Sequence, residues 1–86
     1  MKKIVLICSP LRFYTTNDED MFFFWLNKIS CIKKYKGIGN SLHCYIESNA
    51  ISDENLLDLI GIFERYNFDK NQLFVFMNEE NKNWFL

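Results

Sequence analysis

The residues of this chain that could perform covalent chemistry are one histidine and three cysteines. His43 and Cys44 are the candidate base and nucleophile of a catalytic pair, because a reactive thiol needs a base within hydrogen-bond reach. The alternating pattern around them predicts a β-strand, however, and neighbouring strand residues point to opposite faces of a sheet. The sequence therefore disfavours this pair, and we expect His43 to be a surface or hydrogen-bonded residue.

The cysteines lack the spacing of a metal or redox site. Cys8, Cys31 and Cys44 form no Cys-x-x-Cys motif, the spacing typical of zinc and thiol redox sites. Their odd number is unlike the paired cysteines of secreted proteins. The Gly37-x-Gly39 segment is too short for a phosphate-binding loop. We therefore expect three free, buried thiols, no metal and no cofactor, and we predict that the protein is not an enzyme.

Acidic residues are the stronger functional candidates, because they gather at predicted helix N-termini. These residues are Asp18, Glu19, Asp20, Asp53, Glu54, Glu79 and Glu80. Helix dipoles favour acids at these positions, so capping alone explains them. Helices running parallel from one sheet edge would also collect them into one negative surface. Residues 38–86 contain three basic and eight acidic residues, which indicates a surface suited to a basic protein partner.

The first part of the chain supports an alternative function. Residues 1–37 contain seven basic and three acidic residues. Lys28, Lys33, Lys34 and Lys36 surround Tyr35, a combination that could bind phosphates and stack a base. The same lysines could instead protect an edge strand from aggregation. The net charge of −1 is unlike that of dedicated nucleic-acid binders, so a nucleic-acid-binding or regulatory module is the second hypothesis.

The elements that must position these residues follow from periodicity and turn signals. The pattern predicts a strand over residues 3–8, and a hairpin of residues 31–36 and 41–47 with a four-residue loop. It also predicts a helix that Thr16 caps and that runs to about Ser30, and a helix that Ser52 caps and that runs to about Asn67. Asp69 and Gln72 have capping-box spacing and predict a shorter helix, and Asn78 predicts a last turn. Residues 11–15 either extend the first strand or form another. We expect an α+β fold in a single domain of residues 1–86. It would have a three- to four-stranded, mainly antiparallel sheet with helices on one face, in the order β-(β)-α-β-β-α-α.

Aromatic residues supply the bulk of so small a core. The 86 residues include nine phenylalanines, four tyrosines and two tryptophans. Phe22–Trp25 are four aromatics in a row, and no single helix face can bury them all. Either both faces of this helix are covered, or one is an exposed apolar patch for a partner. A homodimer formed through this first helix is one such arrangement.

The chain contains no predicted targeting or membrane segment. The apolar run Ile4–Cys8 is shorter than the roughly 7–15 residues of a signal-peptide core. No window approaches the ~20 apolar residues of a membrane span. We therefore expect a cytoplasmic protein.

The second half of the chain resembles a known group of small bacterial proteins. The residues that carry the resemblance are Ile51-Ser52-Asp53, Leu59-Ile60, Ile62-Phe63, Arg65-Tyr66, Asp69, Gln72-Leu73, Phe76, Asn78, Asn81 and Trp84-Phe85. They are similar to immunity proteins of contact-dependent growth inhibition and related polymorphic toxin systems. The match covers residues 40–86 well and residues 13–29 loosely, and the first ten residues depart from it.

The resemblance implies a partner that composition does not reveal. An immunity protein binds a cognate toxin domain, often a basic nuclease, and holds it inactive in a stoichiometric complex. We therefore predict a toxin inhibitor acting through an acidic surface that also presents aromatic residues. The predicted interface consists of Asp18, Glu19, Asp20, Asp53, Glu54, Glu79 and Glu80, with Phe22, Tyr45 and Trp84 as aromatic anchors.

Overall fold

The computed structural model describes residues 3–47 and 51–85 and confirms the predicted α+β class. Its regular elements are β1 (Lys3–Cys8), α1 (Thr16–Asn27), β2 (Ile32–Ile38), β3 (Ser41–Glu47) and α2 (Asp53–Arg65), followed by 3₁₀ segments at Lys70–Phe76 and Lys82–Phe85. The three strands form one antiparallel sheet in the order β1-β3-β2. Residues 11–15 form no strand, so the described sheet has the lower of the two predicted strand numbers.

The central strand β3 has one apolar face and one polar face, as its alternation predicts. Leu42, Cys44 and Ile46 are buried, whereas His43 and Tyr45 are half-buried. β1 pairs with β3 along its whole length, and Leu6 lies opposite Cys44. The Cys44 side of the sheet therefore joins the hydrophobic core with the helices.

The hairpin between β2 and β3 is tighter than predicted. The sequence indicated a four-residue loop at 37–40, but β2 continues through Ile38 and β3 begins at Ser41. Only Gly39 and Asn40 form the turn, and Gly39 has a φ of 61°. Two-residue hairpins need such a positive φ, which glycine adopts without steric cost.

The cap of helix α1 lies one residue before the predicted one. The side chain of Thr15, not Thr16, caps the helix by accepting a hydrogen bond from the Asp18 amide at 3.1 Å. The Asp18 carboxylate in turn accepts from the backbone N–H of Tyr14 at 3.1 Å. The acids therefore occupy the first turn as expected, but α1 ends at Asn27 rather than near Ser30.

One face of α1 supplies much of the core. Phe22 and Leu26 have the i, i+4 spacing of a single helix face and are buried, as is Ile29, two residues after the helix ends. The ring of Phe22 lies 5.3 Å from that of Phe13 and 4.9 Å from that of Tyr66, between ring centroids. The aromatic content of the chain is thus concentrated where α1 meets α2.

The two helices pack antiparallel. Ser30, just after α1, donates a hydrogen bond to Asn55 in the first turn of α2, at 3.3 Å between side-chain oxygens. Trp25 contacts the middle of α2 at Gly61, and Phe22 contacts Tyr66 at its end. Residues near the end of α1 thus contact the start of α2, and residues nearer the start of α1 contact its end. The N-termini of the two helices therefore lie at opposite ends of the helix layer.

The residues after α2 form 3₁₀ turns instead of the predicted third α-helix. Asp69 caps the first turn, but its carboxylate accepts from the Asn71 amide, two residues on. Gln72 does not complete a capping box, because its side-chain amide pairs with the outer edge of β1. It accepts from the Ile7 N–H at 2.6 Å and donates to the Ile7 carbonyl at 2.9 Å. This contact blocks one edge of the sheet from further strand pairing.

Candidate functional site

The structure separates His43 from the thiols. His43 points to the face of the sheet away from the helices, whereas Cys44 is buried in the core at 1% exposure. The two side chains therefore lie on opposite sides of β3, as the strand alternation predicts. A histidine–cysteine dyad is incompatible with this arrangement.

The three cysteines are free and buried. The sulfur atoms of Cys8 and Cys44 lie 4.0 Å apart on neighbouring strands, and this contact together with burial raises the pKa of Cys8 above its ordinary range. Burial raises the pKa of Cys31 to about 11, and the nearby Asp58 charge adds to the effect. Cys8 and Cys31 thus stay protonated at neutral pH and are poor nucleophiles. Within residues 3–47 and 51–85, no three His, Cys, Asp or Glu side chains are grouped to hold a metal ion.

The predicted acidic residues do not form one cluster. Because the helices are antiparallel, Asp18–Asp20 lie at one end of the helix layer and Asp53 and Glu54 at the other. The condition under which the sequence would gather the acids, helices running parallel from one sheet edge, is therefore not met. β1 and β2 both pair antiparallel with β3 and are therefore parallel to each other. Because α1 connects β1 to β2, it must run antiparallel to both strands. Because α2 follows β3, it runs antiparallel to β3 and therefore to α1.

The acids also differ in what they contact. Asp18 is half-buried, and its carboxylate accepts a hydrogen bond from the Tyr14 backbone N–H. Burial raises the pKa of the Tyr66 hydroxyl, and the Asp18 charge adds to this effect. Glu79 forms an exposed ion pair with Lys82 at 2.9 Å. The other predicted acids, Glu19, Asp20, Asp53, Glu54 and Glu80, are exposed. Exposure leaves these five able to meet a partner's charges.

Among the four consecutive aromatics, the most exposed residue is not the one predicted to lie at a partner surface. Phe22 is fully buried, so its assignment to a partner surface was wrong. Phe24 is 61% exposed and Met21 is 62% exposed. These two residues line a groove of about 380 Å³ between α1 and α2. We call it the α1/α2 groove; its lining residues are Met21, Phe24, Trp25, Lys28, Arg65 and Tyr66.

Trp25 forms a fixed wall of the α1/α2 groove. Its indole N–H donates to the Asp58 carboxylate at 3.1 Å. A Cβ added at Gly61 would lie 3.2 Å from two indole carbons, closer than an ordinary van der Waals contact, so the glycine lets α2 approach the ring closely. The Arg65 guanidinium lies 5.6 Å from the ring centroid. Hydrogen bonding, packing and the cation–π contact together hold the indole in one orientation.

Trp84 and Tyr45, the two other predicted aromatic anchors, lie outside this groove. Trp84 is half-buried and lines a second groove of about 450 Å³, between α2 and the 3₁₀ segments. Tyr45 is half-buried on the sheet face opposite the helices. The predicted partner residues are therefore distributed over at least three surfaces.

The basic segment is also divided between surfaces. Tyr35 lies opposite Cys44, on the helix side of the sheet. Its hydroxyl donates to Asn27 at 2.9 Å and its ring packs against Phe23. Lys34 and Lys36 flank it on the strand and face the other way, while Lys28 follows α1 with its ammonium 5.0 Å from the Phe24 ring centroid. Tyr35 therefore lies on the opposite face of the sheet from Lys34 and Lys36, which the sequence had grouped with it.

Met21, Phe24, Trp25 and Arg65, which line the α1/α2 groove, were not among the candidate residues predicted from the sequence. The available signal was the i, i+4, i+7 set beginning at Phe22, which assigns the core face of α1 and leaves Met21 and Phe24 on the opposite side. The contact between Trp25 and Gly61 carried no such signal, because it depends on how the two helices cross.

Comparison with protein-family models, curated proteins and solved structures finds no match to this chain. In the part of the chain that the structure describes, neither helix combines the length and apolar character that a membrane crossing requires. The family resemblance of residues 40–86 therefore stays a prediction.

Proposed function

We propose that this protein is a cytoplasmic immunity protein that binds a cognate bacterial toxin domain and blocks its activity without catalysing a reaction. The observation that carries the proposal is the α1/α2 groove with Met21 and Phe24 exposed at its edge. Isolated apolar residues are common on surfaces, but two large ones beside an ordered groove favour a binding site.

The groove has the organisation of a protein interface. Met21, Phe24 and Trp25 supply an apolar centre, and aromatic and methionine side chains are enriched in such centres. Arg65 and Lys28 flank it. A partner side chain that enters the groove would be desolvated against the Trp25 ring, which the hydrogen bond to Asp58 already holds in place. A preordered wall lowers the entropic cost of binding.

The exposed acids lie at both ends of the same helix layer. Asp20 is one turn before Phe24 on α1, and Glu54 is in the first turn of α2. A basic toxin domain seated across the helices would meet negative charge at each end of the apolar centre. Charges in this position mainly raise the association rate and select the partner.

The proposal is tested by growth protection and by binding. The probe is the toxin domain encoded by the neighbouring gene, expressed in cells that carry wild-type or variant protein. Phe24→Glu should abolish protection and weaken binding by about 30-fold or more, since a central aromatic anchor contributes about 2 kcal/mol or more. Val75→Glu is the matched control, because Val75 is 53% exposed on the 3₁₀ segment and does not line the α1/α2 groove.

Charge reversal separates the acids from the apolar centre. Asp20→Lys with Glu54→Lys should slow association by about tenfold at low salt and change dissociation little. Full protection by Phe24→Glu would contradict the proposed interface. A wild-type homodimer that Phe24→Glu converts to monomer, with protection intact, would assign the groove to self-association instead. The absence of any neighbouring toxin gene would contradict the immunity function.

A further inference from the structure

The sheet face opposite the helices carries two cross-strand rows with the same chemistry. In the first row, Val5 on β1, Tyr45 on β3 and Lys34 on β2 are register partners. In the second, Ile7, His43 and Lys36 occupy the corresponding positions. Each row thus runs from an aliphatic side chain through a planar ring to an ammonium group. We call this surface, formed by these six residues, the open face.

The open face is accessible and its cations are available. Lys34 and Lys36 are exposed, and Val5 is 41% exposed. The carboxylate of Glu47, which borders the first row, is paired with Lys33 at 2.8 Å. Within residues 3–47 and 51–85, no carboxylate forms an ion pair with Lys34 or Lys36. Lys34 instead places its ammonium 5.1 Å from the Tyr45 ring centroid.

The spacing of the rows suits a repeating anionic ligand. Neighbouring rows are two residues apart along β3, about 7 Å at the rise of a strand. This spacing is comparable with the repeat of an extended single strand of nucleic acid. A ring beside a cation in each row offers one base a stacking surface and one phosphate a counter-charge.

We propose that the open face binds a short single-stranded nucleic acid, with bases stacked on Tyr45 and His43 and phosphates contacted by Lys34 and Lys36. An acidic protein segment would use the lysines but would leave both rings without a stacking partner, so the chemistry favours the nucleic acid. The proposal does not depend on toxin binding, which uses the helix side of the molecule.

Fluorescence anisotropy with a labelled oligouridine tests the proposal at low salt. The wild-type protein should bind it, with a slope of log affinity against log salt of about −1.4 for two phosphate contacts. Lys34→Gln with Lys36→Gln should lower the affinity at least about tenfold and bring the slope close to zero. Lys70→Gln with Lys82→Gln is the matched control, because it removes the same charge from lysines that pair with Glu64 and Glu79.

Stacking is tested separately from charge. Tyr45→Leu keeps an apolar strand residue and should lower the affinity at least about fivefold while leaving the salt slope unchanged. Circular dichroism verifies that each variant is folded, and the exposed lysine variants test the proposal even if Tyr45→Leu unfolds. Phe24→Glu should bind oligouridine like the wild type, so failure of this proposal and failure of toxin binding are distinguishable.

Three results would overturn the proposal. The first is no binding of oligouridine by the wild type at low salt. The second is an equal loss of affinity in the two lysine pairs, since this would show only a general charge effect. The third is competition by poly-glutamate as effective as that by unlabelled oligouridine, which would assign the open face to an acidic protein.

Discussion

Phe22 and Phe24 offer a matched test of how α1 divides its aromatic residues between core and surface. Phe22 is 0% exposed and its ring contacts those of Phe13, Phe23, Tyr66 and Phe68. Truncating such a buried phenylalanine to alanine removes its burial energy and leaves a cavity, at a cost of about 3–5 kcal/mol. For a domain of this size, the melting temperature should fall by roughly 12 °C or more.

Phe24→Ala should cost far less stability. Its side chain is 61% exposed, and the Lys28 ammonium lies 5.0 Å from the centroid of its ring. Losing the shielded part of a side chain whose full burial is worth about 2–3 kcal/mol should cost about 1 kcal/mol. Both changes replace phenylalanine by alanine on the same helix, so changes in helix propensity are similar and burial accounts for the difference.

Urea unfolding followed by far-UV circular dichroism measures both variants. This signal reports helix and sheet content, whereas tryptophan fluorescence would also respond to the loss of Phe24 beside Trp25. The expected difference between the two free energies of unfolding is about 2 kcal/mol or more, with Phe22→Ala the less stable. Equal destabilisation by the two substitutions would refute the assignment of Phe22 to the core and of Phe24 to the surface.

Other predictions follow from particular contacts. Thr15→Ala should lower stability by about 1 kcal/mol in the same urea assay, because it removes the α1 cap, while Thr16→Ala should change it by a few tenths at most. Gly61→Leu should cost about 1–3 kcal/mol, because the new side chain meets the Trp25 indole, and an unchanged unfolding midpoint would contradict that contact. Thiol titration at pH 8 should show no rapid reaction in the native protein and three reactive thiols in denaturant. Burial raises the pKa of Cys31 from 9.0 to about 11, so this thiol's contribution to the free energy of unfolding is fully present below pH 9. The contribution should be lost as the pH rises from 9 through 11, and a free energy of unfolding that increases between these pH values would contradict it.

The elements with clear periodicity were predictable from the sequence. The alternation of Leu42, Cys44 and Ile46 specifies the buried face of β3, and Ser52 caps α2 by accepting from the Asn55 amide, one residue before the helix, as predicted. Both signals are local, because they depend on residues close together in the chain. The predicted α+β class followed from the order of such elements.

What escaped prediction depends on contacts between distant residues. Gln72 has the spacing of a helix-capping residue, but its side-chain amide instead hydrogen-bonds to the backbone of Ile7 on the edge of β1, 65 residues away. The acids at the starts of α1 and α2 were each placed correctly on their own helix, yet their relation to one another depends on the antiparallel packing. Phe22 and Phe24 are identical in type, and only the position of the core distinguishes them.

The most direct test of the proposed function is hydroxyl-radical footprinting of the protein alone and in complex with the toxin domain encoded beside it. Radical labelling reports side-chain exposure, and Met21, Phe24 and Tyr14 are all exposed in the free chain, Tyr14 at 94%. We expect a one-to-one complex in which labelling of Met21 and Phe24 falls strongly while that of Tyr14 is unchanged. A toxin-bound complex in which Met21 and Phe24 are labelled as rapidly as in the free protein would contradict binding through the α1/α2 groove.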